Sequence, residues 1–199
     1  ENSMKVFDSY LKNGFTQAGF FKESVNFDRG YEDPVHSIRR QSEGIYAMLH
    51  FLAYEKENGR RHPEWEQKMK NMLDILLQLQ HADGSFPRKF HDDFTVVDDS
   101  GGSTPSATLP LIMGYKYFKD KRYLASAKRT ADYLEKVLIS KADYFSSTLD
   151  ANCEDKEASL YAATATYYLS LITKGDEHRH YADLTRKAAY LSLIHISEP

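Results

Sequence analysis

The sequence predicts an all-α fold in which helical hairpins pack side by side. Three times along the chain, a helix that is almost free of charge is followed by a short polar break and an amphipathic helix. A helix that is apolar on every side belongs in a protein interior, whereas an amphipathic helix faces water on one side. The repetition therefore indicates about three hairpins, each with an inner and an outer helix. The breaks can be superimposed, because each precedes an aromatic residue: Asn58-Gly59 precedes Trp65, Lys119-Asp120 precedes Tyr123, and Gly175-Asp176 precedes Tyr181.

The first hairpin follows a short helix and a long irregular stretch. A helical pattern over 4–11 ends near Gly14, because glycine permits the left-handed conformation of a helix end. Residues 15–34 show no helical period, and we expect them to form a loop. The sequence then predicts an inner helix over 36–57 and an amphipathic outer helix that Pro63 opens and that extends to residue 80.

A turn and a weak pair of strands separate the first hairpin from the second. The Asp83-Gly84 turn ends the outer helix, and residues 90–97 show a pattern of two short strands. We expect Thr104 to cap the next inner helix, which extends to residue 118. Pro110 lies inside this segment, so the helix is either kinked there or begins its regular part later. Asp120 then caps an outer helix with one apolar face.

The third hairpin begins at the sharpest change of polarity in the chain. Four carboxylates lie within 150–157, and no charged residue occurs over 158–172. We expect a buried helix whose acidic residues lie at its N-terminal end, where the helix dipole is positive. Gly175 breaks this helix, and a charged outer helix follows.

The composition excludes several classes of function. The chain has 199 residues and a net charge of −3, which gives no electrostatic reason to expect a nucleic acid or an anionic membrane as partner. Cys153 is the only cysteine, so neither an internal disulfide nor a cysteine-based zinc site is expected. His178 and His180 have no acidic or cysteine partner at ligand spacing, so we expect no metal site. No apolar run is long enough to cross a bilayer.

The order of the helices resembles that of a known group of enzymes. The alternation of inner and outer helices, the three breaks and the turn QHADGSFP over 80–87 are similar to features of the six-hairpin (α/α)6 toroids of carbohydrate-active enzymes. The resemblance implies that residues 1–190 form a partial (α/α)6 toroid of about three hairpins. The turn itself is shared with terpenoid-cyclase-like toroids.

Both ends of the sequence look unlike natural protein termini. Residues 191–199, LSLIHISEP, resemble the in-frame translation of a sequencing adaptor, so we expect the native sequence to end at Tyr190. The first residues enter a helical pattern directly and show no signal peptide, so we expect an upstream segment to be missing. Export to the periplasm or out of the cell is therefore left open.

The resemblance places the active cleft at the N-terminal ends of the inner helices. Glycoside hydrolysis needs two carboxyl groups there, one protonated and one ionised. Asp98 and Asp99 lie beside a Gly-Gly loop that lets a ligand approach the backbone, and Asp155 lies at the start of the third inner helix. These three are the catalytic candidates. The candidates for substrate binding are an arginine suited to a uronate or sulfate, two glutamates and an aromatic ring that can stack on a sugar: Arg88, Glu43, Glu154 and Phe86.

The resemblance implies a carbohydrate-processing enzyme, with hydrolysis of an oligo- or polysaccharide by paired carboxylates as the first hypothesis. Hydrolysis of this kind needs no cofactor. One alternative is a polysaccharide lyase on the same toroid, in which a tyrosine or histidine abstracts a proton and Arg88 neutralises a uronate. Another is a helical-repeat module that binds glycan or protein, in which the carboxylates only cap helices. An isoprenoid cyclase is a third, although its acidic initiator motif is not evident in the sequence.

Overall fold

The protein consists mainly of antiparallel helices. The computed structural model describes residues 2–26, 28, 30–100, 103–141 and 156–194. Seven α-helices lie within these residues: α1 (Asn2–Asn13), α2 (Ile38–Glu57), α3 (Pro63–Leu79), α4 (Thr104–Phe118), α5 (Lys121–Tyr133), α6 (Lys156–Ile172) and α7 (Gly175–Ile194). In this described part of the chain, no helix is long and apolar enough to cross a membrane.

The helices form the three hairpins that the repeat predicts. The pairs are α2 with α3, α4 with α5, and α6 with α7. The inner helix α4 packs against both α2 and α6, so the three inner helices lie next to one another. Every residue of α4 from Thr104 to Gly114 is buried. The uncharged sequence of this helix therefore reflects its position between two neighbours.

The inner helix α6 is less buried than its sequence predicts. Ala158, Ala162, Ala165 and Leu169 lie in the core, but another face exposes about half or more of the side chains of Leu160, Tyr167 and Leu171. Among the described residues, no element covers this face. The prediction of a helix buried on every side is therefore confirmed for α4 and wrong for α6.

The helix ends show one correct and one wrong capping prediction. The carboxylate of Asp120 accepts a hydrogen bond from the backbone N–H of Arg122, as an N-cap residue does. Thr104, in contrast, is the first residue of α4, and Ser103 occupies the cap position without a side-chain capping bond. The hydroxyl of Thr104 instead accepts a hydrogen bond from the backbone of Phe86. A contact with the preceding loop thus replaces the expected local one.

Pro110 lies inside α4, which runs without interruption from Thr104 to Phe118. The alternative of a later helix start is therefore wrong. The outer helix α5 continues into a π-helical segment, Leu134–Ile139, which carries three buried apolar side chains. The expected outer helix is thus a regular α-helix followed by a wider turn.

Short strands lie in the connections from outer to inner helices. β1 (Val25–Asn26) pairs with β2 (Tyr31–Glu32) in the stretch expected to be a loop. β3 (Val35–Ser37), β4 (Lys89–His91) and β5 (Val96–Asp98) form an antiparallel sheet in this order. The strand pair predicted over 90–97 is confirmed. Since β3 precedes α2 and β4 belongs to the connection before α4, this sheet joins the first two hairpins.

The turn after α3 is attached to the outer helix of the second hairpin. The Gln80 side-chain N–H group donates to the carbonyl oxygens of Gly84 and Ser126 and to the hydroxyl of Thr130. Its carbonyl oxygen accepts from the Ser126 hydroxyl at 2.7 Å. One amide side chain therefore fixes the turn on α5, which explains why a polar residue stands at the end of an amphipathic helix.

Candidate functional site

The connections that precede α2 and α4 meet at the end of the hairpin layer where these two inner helices begin. Residues 86–90 cross this end and contact two helix starts. The backbone N–H of Ile38, the first residue of α2, donates to the carbonyl oxygen of Arg88 at 3.1 Å. The backbone N–H of Phe86 donates to the hydroxyl of Thr104, the first residue of α4, at 2.9 Å. These two bonds hold the side chains that follow Phe86 at the N-terminal ends of α2 and α4.

Arg88 and Asp98 form a partly buried ion pair at this end. The guanidinium Nη1 lies 3.1 Å from Oδ2 of Asp98, and the two backbones are joined by a hydrogen bond of 2.7 Å. Asp98 also accepts from the backbone N–H of Ser100. Burial raises the pKa of Asp98, but the hydrogen bonds from Ser100 and the charge of Arg88 outweigh it and hold the pKa below its ordinary value. Asp98 is therefore ionised at neutral pH.

The second terminal nitrogen of the Arg88 guanidinium has no hydrogen-bond acceptor among the described residues. Its Nη2 atom is buried, and none of the described residues accepts a hydrogen bond from it. A buried donor without an acceptor is costly, so this part of the guanidinium is not stabilised by the described residues. The structure thus brings together the predicted catalytic residue Asp98 and the predicted binding residue Arg88.

Asp99 contacts a histidine that the sequence analysis did not select. The Nε2 atom of His81 lies 3.3 Å from Oδ1 of Asp99, and its Nδ1 atom lies 3.0 Å from the hydroxyl of Ser85. The hydroxyl of Ser85 donates to the carboxylate of Asp83, and this bond is the largest cause of the lowered pKa of Asp83. Asp99 and His81 both have solvent access, with 64% and 37% of their side chains exposed. Both can therefore contact a ligand.

Glu43 belongs to a third group, which joins two inner helices. The hydroxyl of Tyr161 on α6 donates to Oε1 of Glu43 on α2, and Nε of Arg39 donates to the same oxygen at 3.0 Å. The Arg39 guanidinium also lies 5.8 Å from the centre of the Tyr161 ring. Burial and the hydrogen bond to Glu43 raise the pKa of Tyr161 to about 12. Tyr161 is therefore a protonated hydrogen-bond donor at neutral pH.

The structure corrects the expectation for Phe86. Its ring has no exposed surface and belongs to the hydrophobic core, so it has no face on which a sugar can stack. The turn over 80–87 leads the chain back into the interior at this residue, and the backbone of Phe86 is bonded to Thr104. Phe86 is thus a core residue and not part of a sugar-binding surface.

Two of the predicted site residues, Glu154 and Asp155, lie outside the described residues. Within the described ranges, no group of three or more histidine, cysteine, aspartate or glutamate side chains is arranged to hold a metal ion. The absence of a metal from the reaction stays a prediction. Tyr161 and His81 join the candidates only through their contacts in the structure, although His81 stands inside the turn motif and Tyr161 inside the repeat.

Comparison with known proteins identifies the fold. No protein-family model matches the sequence. Among solved structures, the chain is similar to a cellobiose 2-epimerase from Spirochaeta thermophila DSM 6192, with a TM-score of 0.75 and 16% identity, covering 96% of this chain and 51% of that one. It is also similar to a D-mannose isomerase, with a TM-score of 0.70 and 14% identity over 96% of this chain and 54% of that one.

A third similar structure is an unsaturated glucuronyl hydrolase specific for heparin, with a TM-score of 0.68 and 18% identity over 93% of this chain and 53% of that one. All three are (α/α)6 toroids. The predicted fold class is confirmed, since the three hairpins form a partial (α/α)6 toroid. The chain spans about half the length of the structures it matches.

Proposed function

We propose that the protein is a carbohydrate-processing enzyme and that its sugar binds at the end where the inner helices begin. The observation that carries the proposal is the gathering there of three polar groups, Arg88 with Asp98, His81 with Asp99, and Arg39 with Glu43 and Tyr161. Three solved structures with this fold are a hydrolase, an isomerase and an epimerase of sugars, which supports the same substrate class.

Glycoside hydrolysis is the first reaction that we propose. One carboxylic acid donates its proton to the glycosidic oxygen while the bond to the anomeric carbon breaks, and an ionised carboxylate activates water or attacks that carbon. The lowered pKa of Asp98 favours the ionised role over that of the proton donor. We assign the donor role to Asp99 or to Asp155. Arg88, whose side chain is partly exposed, is our candidate for binding an acidic sugar.

The contact between Tyr161 and Glu43 favours a second reaction, isomerisation or epimerisation. Such a reaction requires a base that removes the proton from the carbon next to a sugar carbonyl, and a donor that stabilises the negative oxygen so formed. The Glu43 carboxylate is a base with 43% of its side chain exposed, and Tyr161 is a protonated donor in contact with it. Transfer of the proton from Glu43 to the neighbouring carbon of the enediol gives the isomer, whereas epimerisation also needs a second acid on the opposite face of the sugar.

One experiment separates these reactions. The protein expressed from its complete gene is incubated in D2O with a panel of neutral and uronate-containing oligosaccharides. New reducing ends without ultraviolet absorbance report hydrolysis, and deuterium at the carbon next to the carbonyl reports isomerisation or epimerisation. New reducing ends together with the ultraviolet absorbance of an unsaturated uronate report a lyase. Asp98→Asn is expected to abolish the first signal, and so is whichever of Asp99→Asn and Asp155→Asn removes the proton donor. Glu43→Gln is expected to abolish the second signal.

The control is Glu64→Gln, because Glu64 is an exposed carboxylate in the first turn of α3, at the opposite end of the hairpin layer. Turnover should be unaffected in this variant. Glycan binding without any of the three signals would contradict an enzymatic role and favour a binding module. Ultraviolet absorbance that accompanies the new reducing ends would replace the proposed hydrolysis by elimination.

A further inference from the structure

A cavity of about 510 Å3 lies at the end of the inner helices opposite the candidate site. It is formed by the last turns of α2 and α4 and by the break that follows α4. Its lining includes the lysines Lys56, Lys116 and Lys119 together with His50, Met113 and Tyr117. No part of the mechanism proposed above uses these residues.

The charge of this cavity is positive. Three lysines line it, and Glu57 is the one carboxylate among its lining residues. Within the described part of the chain, none of the three lysines forms an ion pair, whereas Lys22, Lys128 and Lys187 elsewhere pair with carboxylates at short distance. Ammonium groups that share a cavity repel each other, and a bound anion removes that repulsion.

Helix stability explains only part of this arrangement. Lys56 and Lys116 lie in the last turns of α2 and α4, where a positive charge interacts favourably with the helix dipole. Lys119 follows α4 and has a φ of 61°, a conformation that glycine adopts more readily than any other residue. A lysine at such a position adds local strain, so the dipole alone does not account for its presence.

The size of the cavity defines the ligand further. Pockets for small organic ligands measure about 300–1,000 Å3, so this cavity exceeds what an inorganic anion needs. Met113 and Ala53 give it an apolar surface, and the ring of Tyr117 lies 4.9 Å from Nζ of Lys56. We infer that the cavity is a second ligand site, which binds a sugar-sized organic anion through Lys56, Lys116 and Lys119.

The pKa of His50, which lines the cavity, can report whether an anion is bound. Partial burial and the charge of Lys116 lower its pKa. An anion that neutralises Lys116 removes the second cause, so binding should raise the His50 pKa. The proposed enzymatic activity is not required for this site, which lies at the other end of the inner helices.

The experiment is calorimetric titration of the protein from its complete gene with glucose 6-phosphate, glucuronate, inorganic phosphate and neutral glucose. We expect one of the two sugar anions to bind at least tenfold more tightly than inorganic phosphate, and glucose to give no measurable binding. The preferred sugar anion identifies the source as phosphate or carboxylate. The NMR titration of His50 should shift to higher pH when that ligand is present.

Two variants test the lysines. Lys119→Gly removes one ammonium group, and we expect about tenfold weaker binding because a charged contact contributes on that scale. Glycine also adopts the left-handed backbone of this position without strain, so we expect no loss of thermal stability. Lys116→Gln should weaken binding similarly and raise the His50 pKa in the free protein. Lys12→Gln is the matched control, because Lys12 also lies in the last turn of a helix, α1, but does not line the cavity.

Three results would overturn the inference. They are binding of glucose as tight as that of the sugar anions, binding by the two lysine variants equal to that of the unmodified protein, and binding of inorganic phosphate alone, which would mean an adventitious ion only. Glu43→Gln should leave this binding unchanged. Failure of the second site is therefore distinguishable from failure of the proposed enzymatic function.

Discussion

Tyr161 and Glu43 lie 118 residues apart in the sequence and form a hydrogen bond that joins the first inner helix to the third. A second contact does the same further along these helices, because the hydroxyls of Tyr46 on α2 and Tyr168 on α6 are 3.3 Å apart. Since α4 lies between α2 and α6, these side chains meet in front of it. Long side chains therefore connect two hairpins that are not neighbours in the layer.

We expect Tyr161→Phe to reduce turnover in the proposed isomerisation or epimerisation by at least tenfold. The variant should also lower the free energy of unfolding by about 0.5–1.5 kcal/mol, which is the net contribution of one hydrogen bond. The ring stays in place, and Glu43 keeps its bond to Arg39. Turnover assays and urea unfolding measure the two effects. Tyr168→Phe removes a comparable hydroxyl, so it should cost similar stability and leave turnover unchanged. Equal turnover loss in both variants would contradict a specific role of Tyr161.

Asp98→Asn is expected to destabilise the protein by about 1–2 kcal/mol at neutral pH, because it leaves the Arg88 guanidinium without its charged acceptor. The folded-state pKa of Asp98 is lowered, so its stabilisation is present above the unfolded value of about 3.9 and is lost as pH falls through the folded value. The difference in urea midpoint between the two proteins should therefore shrink in acid. A constant difference would contradict the ion pair.

Glu55→Gln should show the same pH trend at the opposite end of α2. Arg60 and His62 bind the Glu55 carboxylate at 2.5 to 3.0 Å and lower its pKa to about 2. Its contribution to stability is therefore complete above the unfolded value of about 4.3 and disappears as pH falls toward about 2. Thermal unfolding of the unmodified protein and of the Glu55→Gln variant between neutral and acidic pH tests this. Convergence of the two melting temperatures in acid is the expected result.

Gly84→Ala is expected to destabilise the protein strongly, because Gly84 has a φ of +95° and an added Cβ atom would lie 2.2 Å from the carbonyl oxygen of Arg129 on α5. Left-handed strain and overpacking together predict about 2–5 kcal/mol. Gly59 also has a positive φ, of +75°, but no atom lies within 4 Å of an added Cβ.

The matched variant Gly59→Ala therefore measures the backbone strain alone, which is about 1–2 kcal/mol. Urea unfolding of both variants gives the difference that the contact with α5 causes. Equal destabilisation would show that the turn over 80–87 has no close contact with the outer helix in solution.

The sequence pattern predicts the helices well, because each pattern reports the local environment of one helix. The uncharged sequence of α4 correctly predicts burial. The equally uncharged α6 is exposed on one face, since composition alone does not say on how many sides a helix has neighbours. The capping prediction for Thr104 is wrong because its true partner, Phe86, lies 18 residues away.

The candidate site is less predictable for the same reason. Arg88, Asp98, Asp99 and Glu43 are visible because charged residues near helix starts are natural candidates. Tyr161 stands in an apolar helix, where an aromatic residue indicates core packing, and only the distant Glu43 gives it a polar role. Phe86 shows the reverse error, because an aromatic residue in a turn fits either a binding surface or the core.

The sheet formed by β3, β4 and β5 has a consequence for the order in which the protein assembles. Each helical hairpin depends on contacts close in sequence, and such contacts form fast. Pairing of β3 with β4 requires that the segments preceding α2 and α4 have already come together. We therefore expect the end that carries Arg88 and Asp98 to become ordered late in folding, and its backbone amides to exchange with solvent earlier than those of α4.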